Sequence, residues 1–65
     1  MVLVEDERAT RRRMARAIEA SPSLSLVAAC EDVTTGLAAL EAERPDVLLT
    51  DLGLPDGSGV DLIEH

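Results

Sequence analysis

Three short apolar runs, at residues 1–4, 24–29 and 46–50, alternate with segments of helical character, and this alternation constrains the chain more than any other feature. Met1-Val2-Leu3-Val4 is continuously apolar, as a strand buried on both faces requires, and it stops at Glu5-Asp6-Glu7. From Arg8 to Ala20 the chain is rich in Ala and Arg, both good helix formers, with Met14, Ala17 and Ile18 at i, i+3, i+4. Ser21-Pro22 ends that helix, because proline disfavours helical geometry in the residue before it. Leu24-Ser25-Leu26-Val27-Ala28-Ala29 predicts a second, less apolar strand nearer an edge. Asp32 then caps a helix whose Val33, Gly36, Leu37 and Leu40 fall at i, i+3, i+4, i+7. Gly36 costs helix propensity on that apolar face, which implies close approach to the sheet.

Pro45 ends the second helix, and Asp46-Val47-Leu48-Leu49-Thr50 predicts a third strand that runs into Asp51. A turn-rich stretch follows, Gly53-Leu54-Pro55-Asp56-Gly57-Ser58-Gly59. Ser58 and Asp61 form an S-x-x-D start signal for a helix over residues 60–65. The order β-α-β-α-β-α with short connections means an α/β layer with a parallel sheet. The first and third strands are the most continuously apolar and are expected to be the central pair. The second then lies outside the first, which gives strand order 2-1-3, with right-handed crossovers restricting the topology. This is the opening half of a flavodoxin-like sheet, in which chain direction reverses between strands one and three.

Size sharpens the reading. A chain of 65 residues with no aromatic side chain and one cysteine lacks the large core residues and disulfides by which small domains usually hold together. It is expected to be a marginal fold or part of a larger folding unit. Thirteen acidic against six basic residues, a net charge of −7, argue against this segment gripping a nucleic-acid backbone. No secretory signal and no apolar run near the ~18 residues of a membrane span are present. With an unpaired thiol, this fits a reducing cytoplasm.

The placement of the acids carries the chemistry. Glu5 and Asp6 follow the first strand directly and Asp51 follows the third. In parallel neighbours ~4.8 Å apart, all of these side chains emerge at one carboxyl edge, the switch point where open α/β sheets bind ligands. Like charges so close repel, and a hard divalent cation relieves them. Mg²⁺ suits best, since it takes oxygen ligands and is commonly held by one or two carboxylates plus phosphate oxygens. An aspartate at a strand end beside Mg²⁺ can attack phosphorus, as carboxylates do in aspartyl-phosphate chemistry. Asp51 is the expected nucleophile. Asp6 is expected to hold the metal directly and Glu5 through a coordinated water. A plainer alternative makes each acid a solvated loop residue, with Asp6 capping the first helix. A dehalogenase-type phosphohydrolase also uses a strand-end aspartate but needs a second Asp two positions on, where this chain has Gly53.

Val2-Leu3-Val4-Glu5-Asp6-Glu7 resembles the first-strand acidic motif of two-component response-regulator receiver domains. The segment from Asp46 through Asp51-Leu52-Gly53-Leu54-Pro55-Asp56-Gly57-Ser58-Gly59 is similar to the strand and loop around that family's phosphoacceptor, and the Arg44-Pro45-Asp46 lead-in agrees. The resemblance implies a cytoplasmic bacterial signalling switch rather than an enzyme with an external substrate. In it Asp51 takes a phosphoryl group from a histidine kinase or phosphotransfer protein. Glu5, Asp6, Asp51 and the backbone carbonyl of Gly53 bind Mg²⁺, while Pro55 and Gly57 shape the adjoining loop. A receiver-like interaction module that works without phosphorylation is the alternative.

Receivers also use a Ser or Thr after a fourth strand, a Lys after a fifth, and an aromatic for readout. All six basic residues here are Arg, and no aromatic occurs. Residues 1–65 are therefore expected to be the first half of a receiver, with strands four and five outside this chain. Poor independent phosphotransfer and self-association through uncovered sheet edges are expected of such a piece. Five arginines lie between positions 8 and 16 without an intervening acid, either a solvated face or a surface that steers an acidic partner. Arg13 stands where many receivers have an apolar residue, and it is expected at the rim of the first helix's stripe. Cys30 is expected to be core filler, and nothing marks His65 as a ligand.

Overall fold

The structure is a computed structural model and describes residues 1–64; His65, the last residue of the predicted final helix, lies outside the described residues. The element order is β1 (Val2–Val4), α1 (Arg8–Glu19), β2 (Ala28–Cys30), α2 (Val33–Glu43), β3 (Leu48–Thr50), β4 (Gly53–Leu54), β5 (Gly57–Ser58) and α3 (Gly59–Ile63). The first three strands form a parallel sheet in the order β2-β1-β3, as the apolar runs predict. Moving outward from β1 in opposite directions, two right-handed crossovers must lie on opposite faces of the sheet. Val2 and Val4 accordingly join the core with Val33 of α2 and Leu62 of α3. Leu3 alternates to the other face, the side of α1 and its one buried residue, Ile18. No helix among the described residues is long and apolar enough to cross a membrane.

Burial shows why β1 anchors everything. All three of its residues are fully buried. In β3, Leu49 is 41% exposed, and Val47 before it 45%. α1 packs on the Leu3 face against β1. The third strand lies beside β1 on the side away from β2, as the order 2-1-3 requires.

The second strand is shorter than residues 24–29. Its register sets Val2 opposite Ala28 and Val4 opposite Cys30, and Val27 N–H still donates to Met1 O at 2.9 Å. With Met1 opposite Val27, residues 24–26 face no strand residue, and Leu24 and Val27 stay exposed. The α1 stripe is also rotated from the predicted one. Ala17 is exposed, and the half-buried Arg11, Met14 and Ala15 flank the buried Ile18 at i, i+3, i+4, i+7. Arg13 is exposed. An arginine in the stripe is tolerated because its stem packs while its head reaches out, here to donate from Nη1 to the Glu5 carbonyl at 2.9 Å.

The α2 stripe is as predicted: Val33 and Gly36 are buried, Leu37 and Leu40 half-buried. A Cβ on Gly36 would stand 3.0 Å from Val4 Cγ2 and 3.1 Å from Leu62 Cδ2, so the missing side chain is what lets α2 lie close on β1. The helix ends on Arg44 in the left-handed region (φ 44°, ψ 58°), which turns the chain into Pro45. The turn-rich stretch holds structure that its composition hides. Gly53 pairs antiparallel with Ser58 and Leu54 with Gly57, making a hairpin with Pro55 and Asp56 at its tip and Leu54 in the core. Strands of two residues are too short to show alternation in sequence. Ser58 and Asp61 form the predicted capping box, and α3 starts one residue early, at Gly59.

Candidate functional site

The parallel ladder carries the acids to one edge. Val4 pairs with Thr50 and with Cys30. One residue further, Asp51 N–H donates to Val4 O at 3.0 Å and Glu5 N–H to Cys30 O at 2.9 Å. Backbone pairing therefore runs up to the first acid on each strand, and the side chains leave the sheet together. Glu5, Asp6 and Asp51 each offer a carboxylate oxygen within 4.8 Å of the other two. Oxygens on one Mg²⁺ ion are about 3 Å apart when adjacent and about 4.2 Å when opposite, so this all-oxygen set reaches the ion with shifts of about 1 Å. The donor chemistry and the span both fit.

Each acid has a distinct local role. Glu5 is half-buried, and its Oε2 accepts from Glu7 N–H at 2.9 Å. Glu7 in turn caps α1: it accepts from Thr10 N–H at 2.8 Å, from Ala9 N–H at 3.3 Å and from Thr10 Oγ1 at 3.0 Å. The cap alternative for Asp6 is thereby filled by its neighbour, and the exposed Asp6 carboxylate has no protein partner among the described residues. Sequence reasoning passes over Glu7 because aspartate is the better N-cap by propensity. Asp51 is exposed, and its Oδ1 accepts from Gly53 N–H at 3.3 Å, which folds the start of β4 beside it. Gly59 closes the loop from the far side, its N–H donating to Leu52 O at 3.1 Å.

Asp56 is the second residue that composition does not reveal. Its carboxylate reaches the start of α2, where Oδ1 accepts from Val33 N–H at 2.7 Å and Oδ2 from Thr34 N–H at 3.0 Å and Thr34 Oγ1 at 2.7 Å. The Thr34 hydroxyl, then these backbone bonds, hold the Asp56 carboxyl below the usual carboxylate range, and Thr10 does the same for Glu7. A carboxylate whose folded pKa is depressed adds stability above its unfolded value, near 4, and loses it as pH falls through the folded value. The urea midpoint is therefore expected to decline below about pH 4. In a protein carrying Asp56→Asn and Glu7→Gln the decline should be shallower; equal slopes would refute the two caps.

Cys30 is filler, as predicted: it is buried in the core cluster, its Sγ donates to Thr35 O, and burial pushes its thiol pKa up. Arg8, Arg12, Arg13 and Arg16 are exposed along α1.

Three kinds of comparison bear on this edge. The family model for the response regulator receiver domain matches residues 1–65. The chain is 38% identical over 60 residues to the DNA-binding transcriptional activator DevR/DosR of Mycobacterium tuberculosis, covering 92% of this chain and 28% of that protein. It is 38% identical over 63 residues to the KDP operon transcriptional regulatory protein KdpE of Escherichia coli, covering 97% and 27%. It is 41% identical over 64 residues to the acid tolerance regulatory protein ActR of Rhizobium meliloti, covering 98% and 32%. The chain thus spans about a third or less of these relatives. No solved structure matches it. A sheet in the order β2-β1-β3, acids gathered at its carboxyl edge and a family match over every residue lead to one conclusion: the chain belongs to the response regulator receiver domain family.

Proposed function

We propose that the chain is the phosphoacceptor part of a receiver that takes a phosphoryl group onto Asp51 from a histidine kinase or phosphotransfer protein, with Mg²⁺. The observation that carries this reading is the gathering of Glu5, Asp6 and Asp51 within 4.8 Å at the end of the two paired strands, with Asp51 exposed. An Asp51 carboxylate oxygen forms the new O–P bond as the donor's N–P bond breaks, and the released imidazole nitrogen takes up a proton. Asp6, which has no protein partner among the described residues, and Asp51 would hold the ion directly. Glu5, with one oxygen committed to Glu7, would act through a coordinated water, and the Gly53 carbonyl would complete the protein ligands. When bound, the cation neutralises charge on the phosphoryl oxygens and offsets the mutual repulsion of the acids. Gly53 N–H keeps one Asp51 oxygen oriented, leaving the other for attack.

In this reading the 65 residues are the first half of a receiver, a module that switches rather than turns over an external substrate. The exposed apolar edge at Val47 and Leu49 would take further sheet, from its own chain or a second copy. The test is incubation with acetyl phosphate, with and without Mg²⁺, followed by mass spectrometry of the peptides. In a protein of full receiver length a Mg²⁺-dependent gain of one phosphoryl group on Asp51 is expected, and the 65 residues alone should label poorly. Absence of label in a protein of full receiver length would move the reading to a module that acts by protein contact alone.

A further inference from the structure

The Asp56 carboxylate ties together two parts of the molecule that are 22 and 23 residues apart in sequence. A helix leaves its first N–H groups without intrahelical acceptors. α2 already has its own cap, Asp32, whose Oδ1 accepts from Thr35 N–H at 2.8 Å, while Gly36 N–H donates to Asp32 O. The two N–H groups left over, on Val33 and Thr34, both go to Asp56. The helix end is thus served by two carboxylates, one local and one brought by the tip of the β4–β5 hairpin. Packing reinforces the tie. Leu54 of β4 shares the core cluster with Val33, and a Cβ on Gly57 would stand 3.2 Å from Val33 Cγ2. The same hairpin begins with Gly53, paired with Ser58 and bonded through its N–H to Asp51.

We infer that Asp56 is a positioning residue, fastening the hairpin to α2 so that the Gly53 backbone keeps its place beside Asp51 and the acidic edge. The inference rests on the phosphoacceptor reading of that edge, and it gives the hairpin tip a part in metal binding without contact to the metal. Groups that orient ligands in this way are typically worth 10–100-fold in metal affinity. A cap that served α2 alone would have no such effect, and Asp32 supplies the comparison, because it caps the same helix without touching the hairpin.

The experiment compares wild type, Asp56→Ala, Asp56→Asn, Thr34→Val and Asp32→Ala by Mg²⁺ titration calorimetry and by amide hydrogen exchange of the metal-free protein. Asp56→Ala should weaken Mg²⁺ binding about 10-fold or more and speed exchange across residues 53–58. Asp56→Asn, which keeps one acceptor oxygen, and Thr34→Val, which removes one donor of the three, should fall between it and wild type. Asp32→Ala should lower the melting temperature while leaving Mg²⁺ affinity within twofold of wild type. Unchanged Mg²⁺ affinity in Asp56→Ala, or equal losses in Asp56→Ala and Asp32→Ala, would overturn the inference and reduce Asp56 to a helix cap. Wild-type protein of full receiver length that neither binds Mg²⁺ nor takes label overturns the phosphoacceptor reading itself, and the exchange data then decide the hairpin tie separately.

Discussion

Asp51→Asn is expected to end phosphoryl incorporation, with a fall on the order of 10³-fold or more in labelling by acetyl phosphate. The substitution keeps side-chain size and keeps an oxygen to accept from Gly53 N–H, so the loop geometry survives. What it removes is the anionic lone pair that attacks phosphorus, since an amide oxygen is a poor nucleophile. It also removes one of three like charges held within 4.8 Å. Metal-free Asp51→Asn should consequently be no less stable than wild type, and its Mg²⁺ affinity should drop. That combination separates a lost nucleophile from a damaged fold: melting temperature held or raised, label gone. Label that persists, on Asp6 or Glu5 or elsewhere, would remove Asp51 from its role.

The legibility of this site in sequence has a physical boundary. β1 is legible because a strand buried on two faces must be apolar throughout, β3 because its short apolar run ends at Thr50, and the first charge after each marks the sheet edge. The acids at 5, 6 and 51 therefore come together from pattern alone, and the structure brings all three to one edge. What the pattern does not carry is the assignment of each hydrogen bond. Asp6 is the better cap by propensity, yet Glu7 reaches Thr10 and leaves Asp6 open. Arg11 has a polar head, yet its stem joins the α1 stripe while Ala17, expected in it, stays exposed. Asp56 sits in a stretch that composition marks only as turn, and its partners are more than twenty residues away. Local preference ranks residue types at the Glu7 cap but does not fix the bond, and the Arg11 and Asp56 bonds are made by approach of segments farther apart in the chain.

Gly59 shows such a tertiary approach at its tightest, and Gly59→Ala is expected to be costly out of proportion to one methyl group. A Cβ at this position would overlap the Asp51 carbonyl oxygen, and would stand 2.9 Å from Thr50 Oγ1 and 3.0 Å from the Asp51 carbonyl carbon. The obstacle is backbone, which cannot swing aside as a side-chain tip does. Torsion is not the reason for glycine here, because no glycine of the described residues has positive φ. Two effects oppose each other. Alanine is the better helix former by about 1 kcal/mol, and Gly59 opens α3. Overpacking against a fixed group costs about 1–3 kcal/mol, and more where relief requires moving a strand end. The overlap wins, and the relief it forces moves the residue that carries the nucleophile. Gly59→Ala should therefore lower the urea-unfolding free energy by about 1–3 kcal/mol and slow labelling of Asp51 at saturating Mg²⁺. Gly53→Ala is the stability control, since nothing lies within 4 Å of its added methyl; its unfolding free energy should stay within about 0.5 kcal/mol of wild type. A Gly59→Ala protein that unfolds and labels like wild type would show that α3 can withdraw from Asp51 without cost, and the close seating of helix on phosphoacceptor would then have no functional weight.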